Sequence, residues 1–463
     1  MESENRILCF WYNIFESGGD FLIKKFWKLT DKHDRMNAKK QLKKYRKKNR
    51  NKKNKYTYNT YENQYKHEYK NFISDSYIKL SNINNGVYTI NCPEVFSLRD
   101  NYSMSFEFIS HISSLACNTI YSNVKLIYIN LKNCKVYDLD ASCVLDSIMY
   151  KLVPILKRHN INSKVDFPED KDSLAFKNII TTGFVNEKWW HTKKLPTKNI
   201  REKLKKTTGI RFVDFNKNNI ENYDIITTKI VEMIFSDFVN KRKYIKSMGK
   251  IISEIVDNVR EHSDNKSWYI VGNVIPRDEH NKSSIRLVIF NYGNTISSNL
   301  KNFMDNTNIL LPSKQEKIVN ASKEIIKKHI PFFKPDYYEE EQAYMFLAIQ
   351  QGISSKIIDD NNINKRGSGI YKLMNEIYKI SDLSDTEWAN LSLVSGNTMI
   401  KFKNKYKYKK NDEIDNDLYQ INFNDKNSIY CSQSSDCIKK LKYNISGTLI
   451  YLDFKFKEEL INE

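Results

Sequence analysis

Several common chemistries lack their residues in this chain. There is no Gly-Lys-Ser/Thr phosphate loop, no His-Glu-x-x-His zinc helix and no Gly-x-Ser-x-Gly nucleophile elbow. The seven cysteines, Cys9, Cys92, Cys117, Cys134, Cys143, Cys431 and Cys437, form no Cys-x-x-Cys pair and no cysteine–histidine set at zinc spacing. Their odd number and scatter fit a reducing, cytoplasmic setting. No apolar run reaches the ~18 residues that a bilayer span needs, and the first residues do not follow a signal-peptide pattern. The expectation is therefore a cytoplasmic chain without a membrane span. The apolar and aromatic stretch at residues 7–12 is too short to span and reads as a docked strand or helix. No repeat at solenoid spacing is present.

What is abundant is basic charge. The 463 residues carry a formal charge of +20. Residues 39–55 hold eleven Lys and Arg and no acid, and removing them leaves +9. Such a run is a solvated arm or a salt-sensitive contact for nucleic acid or an anionic surface. Tyr45 is its one aromatic residue, which argues against base stacking there. The length exceeds one ordinary core and calls for two or three units. Residues 1–80 read as an aromatic start and a basic, low-complexity arm. Residues 81–170 read as a small α/β domain and 171–222, with Trp189 and Trp190, as a connector. Residues 223–463 read as a larger α/β domain. The fold class is thus α/β (α+β).

In the smaller domain, residues 124–129 form a buried-strand pattern. After a loop at 133–140, Val144, Leu145, Ile148, Leu152, Ile155 and Leu156 recur at helical spacing. A strand, a turn carrying Asp138 and an amphipathic helix resemble the STAS fold of anti-sigma-factor antagonists. Those proteins are phosphorylated on a Ser or Thr just after the equivalent Asp. Here Leu139 and Asp140 stand there, with Ser142 beyond, so the resemblance does not carry the phospho-switch over.

The larger domain holds the informative motifs. On a helix over residues 251–263, Glu254, Asn258 and His262 share one face, while Ile251, Ile252, Ile255, Val256 and Val259 supply a buried stripe. An Asn amide oxygen suits Mg²⁺, a hard cation that retains several waters. A carboxylate one turn earlier can orient or deprotonate a water near a γ-phosphate. A strand pattern at 267–274 is followed by another at 284–290, ending in Asn291, Gly293 and Thr295. Further on, Lys365, Arg366, Gly367 and Gly369 precede Ile370, Leu373 and Ile377, a glycine-opened helix whose N–H groups would face phosphate oxygens. Strand patterns at 391–402 and 445–454 close the domain. The second contains Gly447 and Thr448, and Gly396 with Thr398 is a rival for the same role.

This ordered set resembles the GHKL superfamily of gyrase, heat-shock chaperones, histidine kinases and mismatch-repair ATPases. The resemblance covers residues 251–401 with 445–454 and implies a C-terminal Bergerat-type α/β sandwich that binds ATP and Mg²⁺. It makes Glu254 the general base and Asn258 the magnesium ligand. It places Asn291, Gly293 and Thr295 at the base, Arg366, Gly367 and Gly369 at the phosphates, and Thr448 beside the base. Asn291 stands where the family has Asp, so an adenine N–H would lose a charge-assisted bond of roughly twice the strength. Thr295 stands where the family has its second Gly. Residues 297–366 would be a long lid with helices at 315–329 and 339–352, and 403–442 an atypical insertion.

The function this implies is a Mg-dependent, slowly hydrolysing ATPase switch, with the lid or the STAS-like lobe meeting a protein partner. The alternatives are a protein kinase of the anti-sigma or histidine-kinase type, or a degenerate nucleotide-binding module that contacts nucleic acid through residues 39–55. Many relatives of such domains form homodimers.

Overall fold

The computed structural model describes residues 62–63, 65–66, 69–72, 83–116, 123–182, 209–213, 231, 241–262, 268–275, 283–306, 310–332, 339–357, 369–384, 389–410 and 413–456. The basic run at 39–55, the stretch at 7–12, Trp189, Trp190, Lys365, Arg366 and Gly367 lie outside them, as does the side chain of His262. Two compact units are distinguished, residues 1–64 and 65–463, and every strand and helix from residue 83 onward belongs to the second.

The first layer is a small, largely parallel sheet. A turn through Asn85 and Gly86, both at positive φ, joins β1 (Ile83–Asn84) to β2 (Val87–Asn91) as a hairpin. After a short β3 (Val95–Phe96) comes α1 (Tyr102–Ser114). The chain returns as β4 (Leu126–Asn130), parallel to β2. A short β5 (Val136–Tyr137), paired with β3, leads into α2 (Leu139–Arg158). Strand β6 (Asn162–Asp166) adds parallel to β4, giving the order β1-β2-β4-β6. Helix α2 is buried along most of its length, packed on α1 and on the strands at residues 268–275 and 283–291. Its Leu145, Ile148, Leu152 and Ile155 are fully enclosed.

Helix α3 (Leu174–Thr182) and strand β7 (Gly209–Val213) both fall in the stretch read as a connector. Strand β7 is the outer strand of the large sheet and pairs antiparallel with β8 (Trp268–Ile275). Thus Gly209–Val213, within that stretch, is a strand of the larger sheet.

The second layer begins with α4 (Lys241–His262), followed by β8 (Trp268–Ile275) and β9 (Ser283–Asn291). Among the described residues, three helices occupy the stretch read as a lid: α5 (Ile296–Asp305), α6 (Ser313–Phe332) and α7 (Glu340–Ala348). The last two coincide with the helical stretches expected from the sequence, and α5 is additional. Then come α8 (Gly369–Ser384) and β10 (Ala389–Phe402). The insertion carries a small ribbon, β11 (Lys409–Lys410) with β12 (Tyr419–Gln420). The final strand, β13 (Ile438–Phe456), begins inside that insertion and lies between β10 and β9. The sheet is antiparallel throughout, in the order β10-β13-β9-β8-β7.

Side-chain alternation gives this sheet two buried faces. Ile285, Leu287 and Ile289 of β9, with Ile450, Leu452 and Phe454 of β13, join the core built from α4, α7 and α8. The opposite face meets the smaller lobe. Tyr292, just past β9, shares a 2.6 Å hydrogen bond with Ser147 of α2 and meets Tyr69 edge-on. Tyr102 of α1 donates to the Tyr443 carbonyl at 2.8 Å, and Phe106 stacks on the Tyr443 ring. The Arg99 guanidinium lies 4.5 Å from the Tyr451 ring centre and contacts Asp138 at 3.4 Å. Asp140, fully enclosed, accepts from the Leu98 and Arg99 N–H groups, and burial beside Asp138 pushes its carboxyl up to about 7.

Among the described residues no helix is long and apolar enough to cross a membrane.

Helix α4 also offers a test of packing. A methyl group at Gly249 would meet nothing within 4 Å. Glycine inside a helix costs about 0.8–1 kcal/mol relative to alanine. Gly249→Ala should therefore stabilise the protein by roughly that amount, read as a higher urea midpoint with an unchanged slope. A lower midpoint would mean that this part of α4 is not the open helix surface described.

Candidate nucleotide site

Helices α4 and α8 pack on each other through Met248, Ile251, Ile252 and Ile255 on one side and Leu373, Met374, Ile377 and Ile380 on the other, all buried. Each such side chain contributes about 1.5–3 kcal/mol by leaving water. That seam fixes the rotation of α4 and so the direction of its polar residues. Among the described residues, two ion pairs cross between the helices. Lys372 meets Glu254 at 3.2 Å and Lys250 meets Glu376 at 3.3 Å. Burial raises the Glu376 carboxyl, but Lys379, Ser247 and Lys250 outweigh it and hold the group below its ordinary value.

One turn beyond Glu254, the Asn258 amide lies against the first residue of α8. A Cβ added to Gly369 would stand 2.9 Å from Asn258 Nδ2 and 3.0 Å from Oδ1. Glycine here allows the amide to reach the helix opening, where backbone N–H groups have no partner within the helix and the helix dipole favours anions. A metal-ligating oxygen type and an anion-attracting helix end are thereby placed side by side.

The other motif residues gather at the end of the sheet. Asn291 and Thr448 are direct partners across β9 and β13, and Ser395 of β10 is the partner of Thr448. By strand alternation all three continue the face covered by α4 and α8. Asn291 is buried, and the Thr448 and Ser395 hydroxyls lie 3.2 Å apart. Ser395 Oγ donates to the Gly447 carbonyl and accepts from the Ile296 N–H. Gly447 has φ +108°, and a Cβ there would fall 1.8 Å from the Asn291 carbonyl oxygen. Only glycine lets β13 pass so close to β9.

Gly293, at φ +149°, leads the chain out of β9 toward α5. Thr295 caps that helix, its Oγ1 accepting from the Ser298 N–H at 3.1 Å. Both residues line a cleft of about 460 Å³ together with Lys301, Glu340, Glu341 and Tyr344. Burial pushes the Glu341 carboxyl up against the lowering effect of the Asn397 N–H and the Ser297 hydroxyl.

The structure thus joins Glu254 to Lys372, Asn258 to Gly369, and Asn291 to Thr448. It sets Gly293 and Thr295 on the wall of the cleft, and Arg366 and Gly367 lie outside the described residues. Lys372 and Ser395 escaped the sequence reading. Lys372 had a usable signal, since it falls one turn into α8, at i+3 from Gly369. Ser395 had none, because its role comes from strand register. In the smaller lobe, Asp138 N-caps α2 by position without a side-chain cap bond, and Ser142 is completely buried. The sequence matches no protein-family model, no curated protein and no solved structure.

Proposed function

We propose that residues 251–401 with 445–454 form a GHKL-type domain of the Bergerat sandwich class that binds ATP with Mg²⁺ and hydrolyses it slowly, as a switch. The observation that carries this reading is the contact of Asn258 with Gly369 at the opening of α8. One protein oxygen at a phosphate-facing helix end fits a cation that takes one or two protein ligands and draws the rest from phosphates and water. In this reading Asn258 holds the metal, the α8 N–H groups and Arg366 hold phosphate oxygens, and Asn291 and Thr448 face the base. Bound magnesium would neutralise charge on the phosphates. Glu254 then accepts a proton from the attacking water, and Lys372 keeps its carboxylate oriented.

The switch part of the reading rests on two consecutive residues. Asn291 faces the site, whereas Tyr292 turns to the other face and bonds to Ser147 of the STAS-like lobe. A change in the position of β9's end on nucleotide binding would be felt on both sides. This contiguity supports a coupling and leaves its measurement to experiment.

Calorimetric titration of the full chain with ATP, ADP and GTP, each with and without Mg²⁺, tests the reading. The expected result is magnesium-dependent binding of ATP, with a small margin over GTP because Asn291 lacks the charge of Asp. Asn258→Ala should lose the magnesium dependence. Gly369→Ala should weaken binding by roughly tenfold, about 1.4 kcal/mol, by pushing the Asn258 amide off the helix end. Absence of heat with all three nucleotides would overturn the proposal.

A further inference from the structure

The insertion between β10 and β13 carries a second concentration of positive charge, remote in sequence from residues 39–55. In residues 403–410 five of eight residues are Lys, and all five are exposed. They alternate with Tyr406 and Tyr408. Tyr408 is buried and donates to the Ile349 carbonyl at 2.6 Å, which pins the segment to the body of the domain. Lys403 is paired with Asp436 at 3.1 Å. Among the described residues, no carboxylate lies within ion-pairing distance of Lys405, Lys407, Lys409 or Lys410. Instead, Lys405, Lys407 and Lys410 rest over the rings of Tyr406, Tyr378 and Tyr419 at 4.6, 5.5 and 5.9 Å. These rings hold the ammonium groups at the surface, where Asp425 acts on Lys405 through space without closing an ion pair.

We propose that residues 403–410 are a docking ribbon for the phosphate backbone of a nucleic-acid duplex, read without regard to base sequence. Three observations favour that occupant. First, Tyr408 points inward and the segment continues into β11, so Lys407 and Lys409 project outward at i and i+2, about 6.6–6.8 Å apart in an extended chain. A row of outward cations on an extended segment can meet successive phosphates along a duplex backbone. Second, the cations are all Lys, which meet phosphates as point charges and lack the planar fork that reads guanine edges. Third, stable anchoring on an anionic membrane takes an apolar element beside the lysines. The exposed large apolar residues among those described, Met104, Val136, Leu174, Leu310 and Ile357, all lie elsewhere in the sequence. The tyrosine rings are occupied by lysines, so backbone contact is favoured over base stacking.

The test uses the full chain and a fluorescein-labelled 30-base-pair DNA of mixed sequence, followed by anisotropy across NaCl concentrations. A variant with Lys405→Gln, Lys407→Gln, Lys409→Gln and Lys410→Gln should flatten the log–log salt dependence by about 3–4, at ~0.9 for each phosphate no longer neutralised. Between 50 and 200 mM salt the native chain should lose roughly 100-fold more affinity than this variant. The pair Lys407→Gln with Lys409→Gln should flatten it by about 2. An unchanged melting temperature shows that the variants fold. A chain lacking residues 39–55 should keep the ribbon's share of the salt dependence. Identical slopes for native and fourfold variant would overturn the proposal, as would complete loss of DNA binding on removing 39–55. Loss of binding to vesicles of 30% phosphatidylserine in phosphatidylcholine, with DNA binding unchanged, would assign the ribbon to a membrane and equally overturn it.

Discussion

Glu254→Ala is expected to keep Mg-ATP binding and to lose hydrolysis by about 10²–10⁴-fold, the range for removing a general base. The side chain stands one turn before Asn258 on α4, whose seam with α8 is closed by buried Ile251, Ile252 and Ile255. Its polar contact with α8 is the 3.2 Å pair with Lys372, and the two side chains are 28% and 45% exposed. A pair so open to water contributes about 0–1 kcal/mol, so the substitution leaves the fold in place and the kinetic loss can be read directly. Lys372→Ala should lower turnover less, because it frees the carboxylate without removing it. The decisive measurement is steady-state phosphate release beside ATP affinity by calorimetry. Full turnover in Glu254→Ala would remove Glu254 from the reaction, and loss of ATP affinity with turnover would make it a binding residue.

The second large effect is structural. Gly447→Ala should destabilise the protein by about 4 kcal/mol. That is the sum of backbone strain at a positive φ, about 1–3 kcal/mol, and overpacking in a closed site, about 1–3 kcal/mol. The added carbon would stand 1.8 Å from the Asn291 oxygen and 2.8 Å from its carbonyl carbon, and both are backbone atoms that no rotamer change can move aside. Strands β13 and β9 must separate there, which parts Thr448 from Asn291. Nucleotide affinity should therefore fall even at temperatures where the variant remains folded. Urea unfolding checks the first consequence and ATP titration the second. The same substitution at Gly249, where a methyl group meets nothing, provides the matched control with opposite sign. An unchanged urea midpoint for Gly447→Ala would mean that β13 and β9 are not so closely apposed.

What the sequence made legible was local. The spacing of Glu254 and Asn258, the glycine before Ile370 and the apolar stripes are patterns within one helix, and helices α4 and α8 lie where those patterns put them. Boundaries were less legible. Helix α4 begins ten residues before the expected start, because its first turns carry Lys and Arg with Ile245 and Met248 as their buried or half-buried apolar residues. Strand β13 begins seven residues early for a similar reason, since Lys439, Lys440 and Lys442 interrupt an alternation that its partner β10 completes. Strand β7 is a five-residue run between polar stretches, and its place is given by pairing with β8, which no local pattern announces. The union of the two lobes was illegible as well. It depends on tyrosines, an enclosed Arg–Asp group and contacts such as Tyr102 with Tyr443, separated by 341 positions. Nothing in a window of either segment identifies the other.

The place of β13 has a consequence for how the molecule comes into being. Of the described strands, the last to be synthesised is an inner strand of the large sheet, flanked by β9 and β10 and touched by α1 of the smaller lobe. A nascent chain that has left the ribosome as far as β10 holds two strand edges with their hydrogen-bonding groups facing a gap. Each is a template for pairing with another chain until residues 438–456 emerge. At about 5–20 residues per second the wait from β10 to β13 is several seconds. The insertion between them is thus also a delay in vectorial folding.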